Sequence, residues 1–157
     1  MENIEENSII KENIFFTPSQ MFVGTLLGGI LTVNYMIAKN YSTLNYIKSR
    51  NIIILFGVVF FIFITIYIVH FDPKFSSVGM YAGLGITMSS ITKKLLTEKG
   101  YVKTSKSFLK CDFVDGTKLY SWWYVIFASV IGFILTIVFS FMIGPMLFIV
   151  NFADIHP

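Results

Sequence analysis

Hydrophobic residues along this chain fall into four long runs separated by short polar segments. The clearest run covers residues 52–71, which carry no charge before Asp72. A helix of that length crosses the roughly 30 Å hydrocarbon core of a bilayer. The pattern therefore predicts an all-α polytopic membrane protein, with one bundle over residues 18–157. Its four transmembrane helices are expected at about 18–38, 52–71, 76–98 and 121–144.

Capping residues mark the ends of these predicted helices. Thr17, Pro18 and Gln20 form a capping box, with proline at the first helical position, where its missing N–H costs nothing. Lys39 and Asn40 are expected to end the same helix, because a cation and a residue tolerant of left-handed backbone suit a C-terminus. The third helix is the least hydrophobic and is expected to stop at Gly100. In the fourth, Gly144-Pro145 is expected to kink or end the helix.

Basic residues predict the orientation. With four spans, segments 39–51 and 92–120 lie on one side, and the other side carries only Lys11 and Lys74. The positive-inside rule then places both loops in the cytoplasm and both termini outside. Residues 1–17 become an acidic extracytoplasmic tail, and 92–120 a basic cytoplasmic loop. The basic residues behind this assignment are Lys39, Lys48, Arg50, Lys93, Lys94, Lys99, Lys103, Lys106, Lys110 and Lys118.

Composition agrees with a membrane protein and narrows the function. The 157 residues are 55% hydrophobic and 13% charged, whereas an ordinary soluble domain is about a quarter charged. The net charge of +3 is small. The lysines of the chain lie beside the predicted spans, where they set the orientation in the membrane, so no nucleic-acid partner is expected. The single cysteine, Cys111, excludes an intramolecular disulfide. No basic segment precedes an apolar core at the N-terminus, so no signal peptide is predicted.

Small residues recur at helical spacing within three of the spans. Such stripes let helix backbones approach closely, which drives association in lipid. Two hypotheses remain open: the stripes pack the four helices of one chain, or one of them, on the fourth span, docks another subunit. The second span lacks a stripe and is expected to face lipid. The packing or oligomer residues are Gly24, Gly28, Gly79, Gly83, Gly132, Thr136, Ser140 and Gly144.

Groups for chemistry are scarce. Asn34, Ser89 and Ser90 could form a polar cluster between the first and third spans. His70 beside Asp72 supplies too few ligands for a metal site. We therefore predict no catalytic residue, no cofactor and no metal. The aromatic residues Tyr120, Trp122, Trp123 and Tyr124 are expected to anchor the last span at the cytoplasmic interface.

Two short patterns resemble a known group of small bacterial membrane proteins without an assigned activity. The first is Phe16-Thr17-Pro18-x-Gln20, followed by Leu27-Gly28-Gly29, Tyr35 and Lys39-Asn40-Tyr41; the second is Gly116-x-Lys118-x-x-Ser121-x-Trp123. The resemblance implies a four-helix protein of the bacterial inner membrane and brings no activity. Where the group has proline after the paired glycines, this chain has Ile30, so a straighter first span is expected.

These observations favour a non-enzymatic integral membrane protein that acts by helix association. It is expected to be a homo-oligomer or an accessory subunit, whose partners are the lipid bilayer and itself or another membrane protein. The alternative is a small transporter or pore formed between subunits, favoured by the weakly hydrophobic third span and its polar residues. A weak internal repeat at an offset of 55 residues, pairing Gly24 with Gly79, would suit that alternative.

Overall fold

The computed structural model of the chain describes residues 14–70, 77–103 and 111–153, with side-chain surroundings given for 14–67, 79–103 and 111–142. Within these ranges the architecture is all-helical, with four helices and two minimal two-stranded sheets. The elements are β1 (Ile14–Phe15), α1 (Pro18–Thr43), α2 (Ile47–His70), α3 (Ser77–Glu98), β2 (Val102–Lys103), β3 (Asp112–Phe113), β4 (Lys118–Leu119) and α4 (Trp122–Ala153).

Three of the helices are long and apolar enough to cross a membrane. They are α1, α2 and α4, by length and composition. Their burial differs sharply: 61% of the most apolar stretch of α1 is buried inside the protein, against 17% for α2 and for α4. The outward face of α2 is apolar and exposed, as predicted for a lipid-facing helix. The remaining helix, α3, is the least apolar of the four, as the sequence indicated.

The start of α1 is confirmed and its end is not. Thr17 is the N-cap, Pro18 occupies the first turn, and Gln20 closes the capping box. The helix does not stop at Lys39-Asn40 but continues to Thr43, and the Asn40 side chain bonds to the Phe16 carbonyl. The left-handed residue of the turn is Asn45, with φ 59°. Asparagine tolerates this conformation because its short polar side chain can bond locally.

Two other helices are longer than predicted. The second begins at Ile47 rather than residue 52, so the polar residues Lys48 and Arg50 form part of its first turns. The fourth continues past Gly144-Pro145 to Ala153. A proline inside a helix removes one hydrogen bond and is tolerated in membrane helices.

The main departure from the prediction is a break inside α1. Gly29 has φ 70° and ψ −159°, which is not helical. This region is open almost only to glycine, because a Cβ would clash with the backbone. The segment before the break and the segment after it fold against each other, since Gly24 lies against the Met36 side chain. A straight helix would separate those two residues by roughly 18 Å. The expectation of a straighter first span is therefore wrong.

The two ends of α1 consequently meet. The Phe16 backbone and the Asn40 side chain are hydrogen-bonded, although a straight helix would hold them roughly 36 Å apart. β1 also pairs in parallel with β4, with Ile14 opposite Lys118. The sequence had placed these two strands on opposite sides of the membrane, in the 1–17 tail and the 92–120 loop. The structure brings them together at one end of the molecule, which we call the closed end.

The helical hairpin of α1 forms the centre of the fold. The other three helices each pack against it, and in the described part α3 makes no close backbone approach to α2 or α4. A continuous core joins the hairpin to the start of α4: Phe16, Met21, Val33, Met36, Ile37 and Val125. A second cluster at the closed end contains Phe15, Leu96 and Val102. The hairpin thus occupies the position that a spanning helix was expected to fill.

Candidate functional site

Side-chain hydrogen bonds to backbone fasten the base of the hairpin. Asn40 accepts from the Phe16 N–H at 2.8 Å and donates to the Phe16 carbonyl at 3.0 Å, in a fully buried position. The Gln20 amide donates to the Tyr120 carbonyl at 2.6 Å, and the Ser89 hydroxyl to the Pro18 carbonyl at 2.8 Å. Ser89 of α3 and the Tyr120 carbonyl therefore hold the first end of the hairpin, and Asn40 joins the second end to it.

Aromatic rings surround this base. Phe16 stacks on Tyr120 with ring centroids 4.1 Å apart. Burial, and to a smaller extent the charge of a neighbouring Tyr124, raises the pKa of Tyr120. The Tyr35 and Tyr124 hydroxyls lie 2.7 Å apart and share a hydrogen bond. Of the predicted anchoring aromatics, Trp123 is 79% exposed, which suits an interfacial anchor. Tyr120 and Tyr124 instead pack against the hairpin.

A close helix contact lies near the tip of the hairpin, between α1 and α4. A Cβ on Gly28 would stand 2.6 Å from the Ser129 Cα, and one on Gly132 would stand 2.9 Å from the Gly28 carbonyl oxygen. The Thr32 hydroxyl lies in the same contact and donates to the Gly28 carbonyl at 3.0 Å. Gly28 and Gly132 therefore permit a contact within one chain that any larger residue would separate.

The other small residues have different surroundings. Gly24 packs inside the hairpin, whereas Gly79 and Gly83 on α3 are exposed, and nothing lies within 4 Å of the position of a Cβ on Gly83. The hydroxyls of Thr136 and Ser140 donate to carbonyls of their own helix. The side-chain surroundings of Gly144 lie outside the described part. The stripe expected to dock a subunit, on α4, thus packs against α1 at Gly132 and is half-buried at Thr136 and Ser140, whereas the exposed stripe is on α3.

The predicted polar cluster of Asn34, Ser89 and Ser90 does not form. Asn34 faces α2, where its amide donates to the Ile54 carbonyl at 3.4 Å and its side chain lies against Gly57. Ser89 is bonded to Pro18, and Ser90 is exposed. The reason is the fold of α1, whose second segment turns Asn34 toward α2 while the first segment takes the inner face of α3.

A small cavity lies directly beneath the hairpin tip. It measures about 70 Å³ and is walled by Ile30 of the tip together with Phe61 and Ile64 of α2. Its remaining lining is rich in hydroxyl groups, contributed by α2, α3 and α4: Thr65, Tyr81, Thr136 and Ser140. The Tyr81 ring also reaches the break, with its Cζ 3.7 Å from where a Cβ on Gly29 would be. We call this space the tip cavity.

Two larger grooves in the described part are mainly apolar. One of about 300 Å³ runs between α1 and α4, with the Tyr35–Tyr124 hydroxyl pair on its wall. Another of about 230 Å³ lies between α1, α2 and α3 and contains the Asn34 amide. Both are lined chiefly by aliphatic and aromatic side chains, as expected of grooves that face lipid. The smaller tip cavity holds the greater density of polar groups.

The outward face of α3 continues the exposed small residues into a charged turn. Gly79, Gly83, Thr87 and Ser90 are all exposed, and Lys94 and Glu98 follow one and two turns later. Lys94 Nζ lies 3.9 Å from Glu98 Oε1, with the two side chains 79% and 61% exposed. We call this strip, from Gly79 to Glu98, the α3 face.

The described residues of the basic segment after α3, 99–103 and 111–120, include the strands β2, β3 and β4. β2 and β3 pair antiparallel, with Val102 opposite Phe113. Lys99 lies over the Tyr46 ring at 4.9 Å, and hydrogen bonding to Tyr46 raises the pKa of Lys99. Cys111 is half-buried, and burial raises the pKa of its thiol, with Lys93 opposing and Asp112 adding to the shift. A raised pKa leaves less thiolate, the nucleophilic form of cysteine, at neutral pH.

No metal site is found in the part of the chain that the structure describes: it contains no group of three or more histidine, cysteine, aspartate or glutamate side chains suited to a metal ion. Asp72 lies outside that part, as does the side chain of its predicted neighbour His70. Comparison with known proteins gives no match to a family model, a curated protein or a solved structure.

Sequence reasoning missed the break in α1 and hence the tip cavity. One signal was present, the pair Gly28-Gly29 in the middle of a predicted span. Paired glycines fit both a close helix contact and a turn. Here Gly28 allows the close contact and Gly29 forms the turn. Nothing in the sequence indicated that Tyr81, Thr65 and Thr136 would meet.

Proposed function

We propose that α2, α3 and α4 cross a bacterial inner membrane and that α1 is a re-entrant hairpin. Its first segment, Pro18 to Gly28, measures about 16 Å, or half of the hydrocarbon core. The basic closed end then lies in the cytoplasm, under the positive-inside rule. The N-terminus would share that side, and the C-terminus would lie outside. Non-helical backbone at membrane depth is tolerated when protein surrounds it, and Gly29 is buried.

Reporter fusions at the two termini test this topology. Fusions that are active only in the cytoplasm should be active at the N-terminus and inactive at the C-terminus. The four-span arrangement expected from sequence alone places both termini outside. Two inactive fusions would therefore support four spans and contradict the re-entrant hairpin.

Within this membrane arrangement, the protein is proposed to be a non-enzymatic homo-oligomer joined through α3. The observation that carries the proposal is the exposed α3 face, where Gly79, Gly83 and Thr87 present small side chains outward. The least apolar helix gains the least from facing lipid. A second helix with small residues can approach it closely enough for backbone contacts and hydroxyl hydrogen bonds.

Charge favours a second copy of this chain as the partner. Two α3 helices related by a twofold axis along the membrane normal would run parallel, with Lys94 of one copy near Glu98 of the other. Lys94 can therefore exchange Glu98 of its own helix for Glu98 of the second copy, and Glu98 can exchange Lys94 in the same way. An exposed pair within one helix contributes only about 0.3–0.5 kcal/mol, so the exchange costs little.

Cysteine crosslinking tests the interface directly. In a Cys111→Ser background, Thr87→Cys should form disulfide-linked dimers when native membranes are oxidised. Val59→Cys is the matched control, since it lies on α2 at a similar distance from the closed end and is 57% exposed. Equal crosslinking at both positions, or none at position 87, would contradict an α3 interface.

A charge exchange tests the identity of the partner. Lys94→Glu and Glu98→Lys, each alone, should lower the dimer fraction in detergent, because like charges then face each other. The double variant should restore it. If the double variant remains as weak as the singles, the partner on this face is not a second copy.

The alternative function, a pore or transporter formed between subunits, receives less support. It depended on a polar cluster of Asn34, Ser89 and Ser90 on one path. Asn34 and Ser89 each bond to backbone inside the chain, on different helices. Only Ser90 remains on the α3 face. Flux measurements in liposomes containing the crosslinked dimer test this alternative, and a conductance lost on Ser90→Ala would favour it over a purely associative role.

A further inference from the structure

The tip cavity has an unbalanced set of hydrogen-bonding groups. Thr65 donates its proton to the Phe61 carbonyl at 2.9 Å, Thr136 to Gly132 at 2.8 Å, and Ser140 to Thr136 at 2.8 Å. These hydroxyl protons are therefore committed to backbone, while each oxygen keeps acceptor capacity. The cavity wall thus offers mainly acceptors.

Tyr81 is the exception. Its hydroxyl makes no hydrogen bond to any residue in the described part of the chain. The ring is half-buried beneath the hairpin tip, and in the membrane arrangement proposed above, on which this inference rests, it lies at a depth where lipid tails cannot accept its proton. An unpartnered hydroxyl in an apolar medium is costly, and lipid-depth polar groups are otherwise satisfied inside the protein.

The break at Gly29 adds a second polar demand at the same place. A helix that stops and restarts leaves backbone N–H and C=O groups without partners in the helix, and at this break the Thr32 hydroxyl supplies a partner for the Gly28 carbonyl alone among the described side chains. Tyr81 lies within 3.8 Å of where a Cβ on Gly29 would be. Ile30, the residue that follows the break, lines the tip cavity together with Tyr81, so the phenol and the chain leaving the break border one space.

We propose that the tip cavity is a binding site for water at the depth of the bilayer centre. About 70 Å³ accommodates a cluster of about two molecules. Water supplies two donors for the hydroxyl oxygens of Thr65, Thr136 and Ser140 and accepts the Tyr81 proton. An anion would meet too few donors, and a cation no counter-charge among the residues of the wall. The site lies within a single chain and is independent of the α3 interface.

The sign of a stability change distinguishes a wet cavity from a dry one. If water accepts the Tyr81 proton, Tyr81→Phe removes a satisfied hydrogen bond, and the midpoint of thermal unfolding in detergent should fall. If the cavity is dry, the same change removes an unsatisfied hydroxyl, and the midpoint should rise. An unchanged or raised midpoint overturns the proposal.

Accessibility to silver ion provides a separate test. In the Cys111→Ser background, Thr136→Cys places a near-isosteric thiol on the cavity wall. Val138→Cys, two residues further along α4 and 47% exposed to lipid, is the control. Silver reacts with hydrated thiolate, so Thr136→Cys should lose later maleimide labelling at least about tenfold faster than Val138→Cys. Equal rates would show that position 136 is as dry as the lipid face and would overturn the proposal.

Discussion

The bundle has two halves that are built differently: one lies between the closed end and the hairpin tip (above the tip), and the other lies beyond the tip (below it). Above the tip, both segments of α1 fill the centre, and buried polar groups such as Asn40 and Ser89 are bonded to backbone. Below it, α2 and α4 meet through Phe61 and Phe139 at 5.8 Å, and the tip cavity remains. The hairpin therefore supplies a core to one half of the bundle, and the other half keeps a cavity lined by hydroxyl groups.

The largest expected effect concerns the base of the hairpin. Asn40→Ala removes both hydrogen bonds to Phe16 and leaves a buried N–H and carbonyl unpaired, so the free energy of unfolding should fall by about 3 kcal/mol. Asn51→Ala, at an exposed asparagine on α2, is the control and should be nearly neutral. SDS titration in mixed micelles measures both. If Asn40 merely ended a straight helix, the two variants would behave alike.

The break itself gives the next largest effect, and its sign decides between two folds. Gly29→Ala forces a side chain into a glycine-only conformation and should destabilise the protein by about 2 kcal/mol. In a continuous helix, the same change would instead stabilise by about 0.5–1 kcal/mol. Gly83→Ala, in regular helix with nothing within 4 Å, is the control for monomer stability. The same SDS titration measures both variants. Greater stability in Gly29→Ala would contradict the break and favour a straight first span.

A smaller effect is expected where the hairpin meets α4 at the closed end. Tyr35→Phe removes the hydrogen bond to the Tyr124 hydroxyl and should cost about 1 kcal/mol. Tyr124→Phe should cost a similar amount, and the double variant little more than either single change. Thermal unfolding of the four proteins completes the cycle. Fully additive losses would mean that the two hydroxyls do not bond to each other.

The smallest effect involves no change in stability. Burial raises the pKa of the Cys111 thiol, so at neutral pH less thiolate is present than on a free cysteine. Alkylation by iodoacetamide should therefore be slow in the folded protein, and its pH profile should inflect above that of free cysteine. Unfolding in SDS should restore the ordinary profile. A low inflection in the folded protein would indicate that Cys111 does not pack against the cluster of Phe15, Leu96 and Val102.

Local chemistry allowed some elements to be predicted and left others open. The capping box of Thr17 and Gln20 depends on residues three apart, so it is visible in sequence and is confirmed. The role of Asn40 was mistaken because its partner, Phe16, is 24 positions away. Likewise, the sequence pattern places Asn34, Ser89 and Ser90 at a similar depth in the membrane. Depth alone does not determine which neighbouring helix each residue faces.

The sequence by itself determined that this is a helical membrane protein with its basic residues concentrated in two segments. Hydropathy over about 20 residues and charge bias between runs are properties of the chain alone. Only the tertiary structure decided that α1 turns back at Gly29 and that Tyr81, Thr65 and Thr136 border one cavity. Paired glycines permit both a straight contact and a turn, and packing against α3 and α4 selects between them.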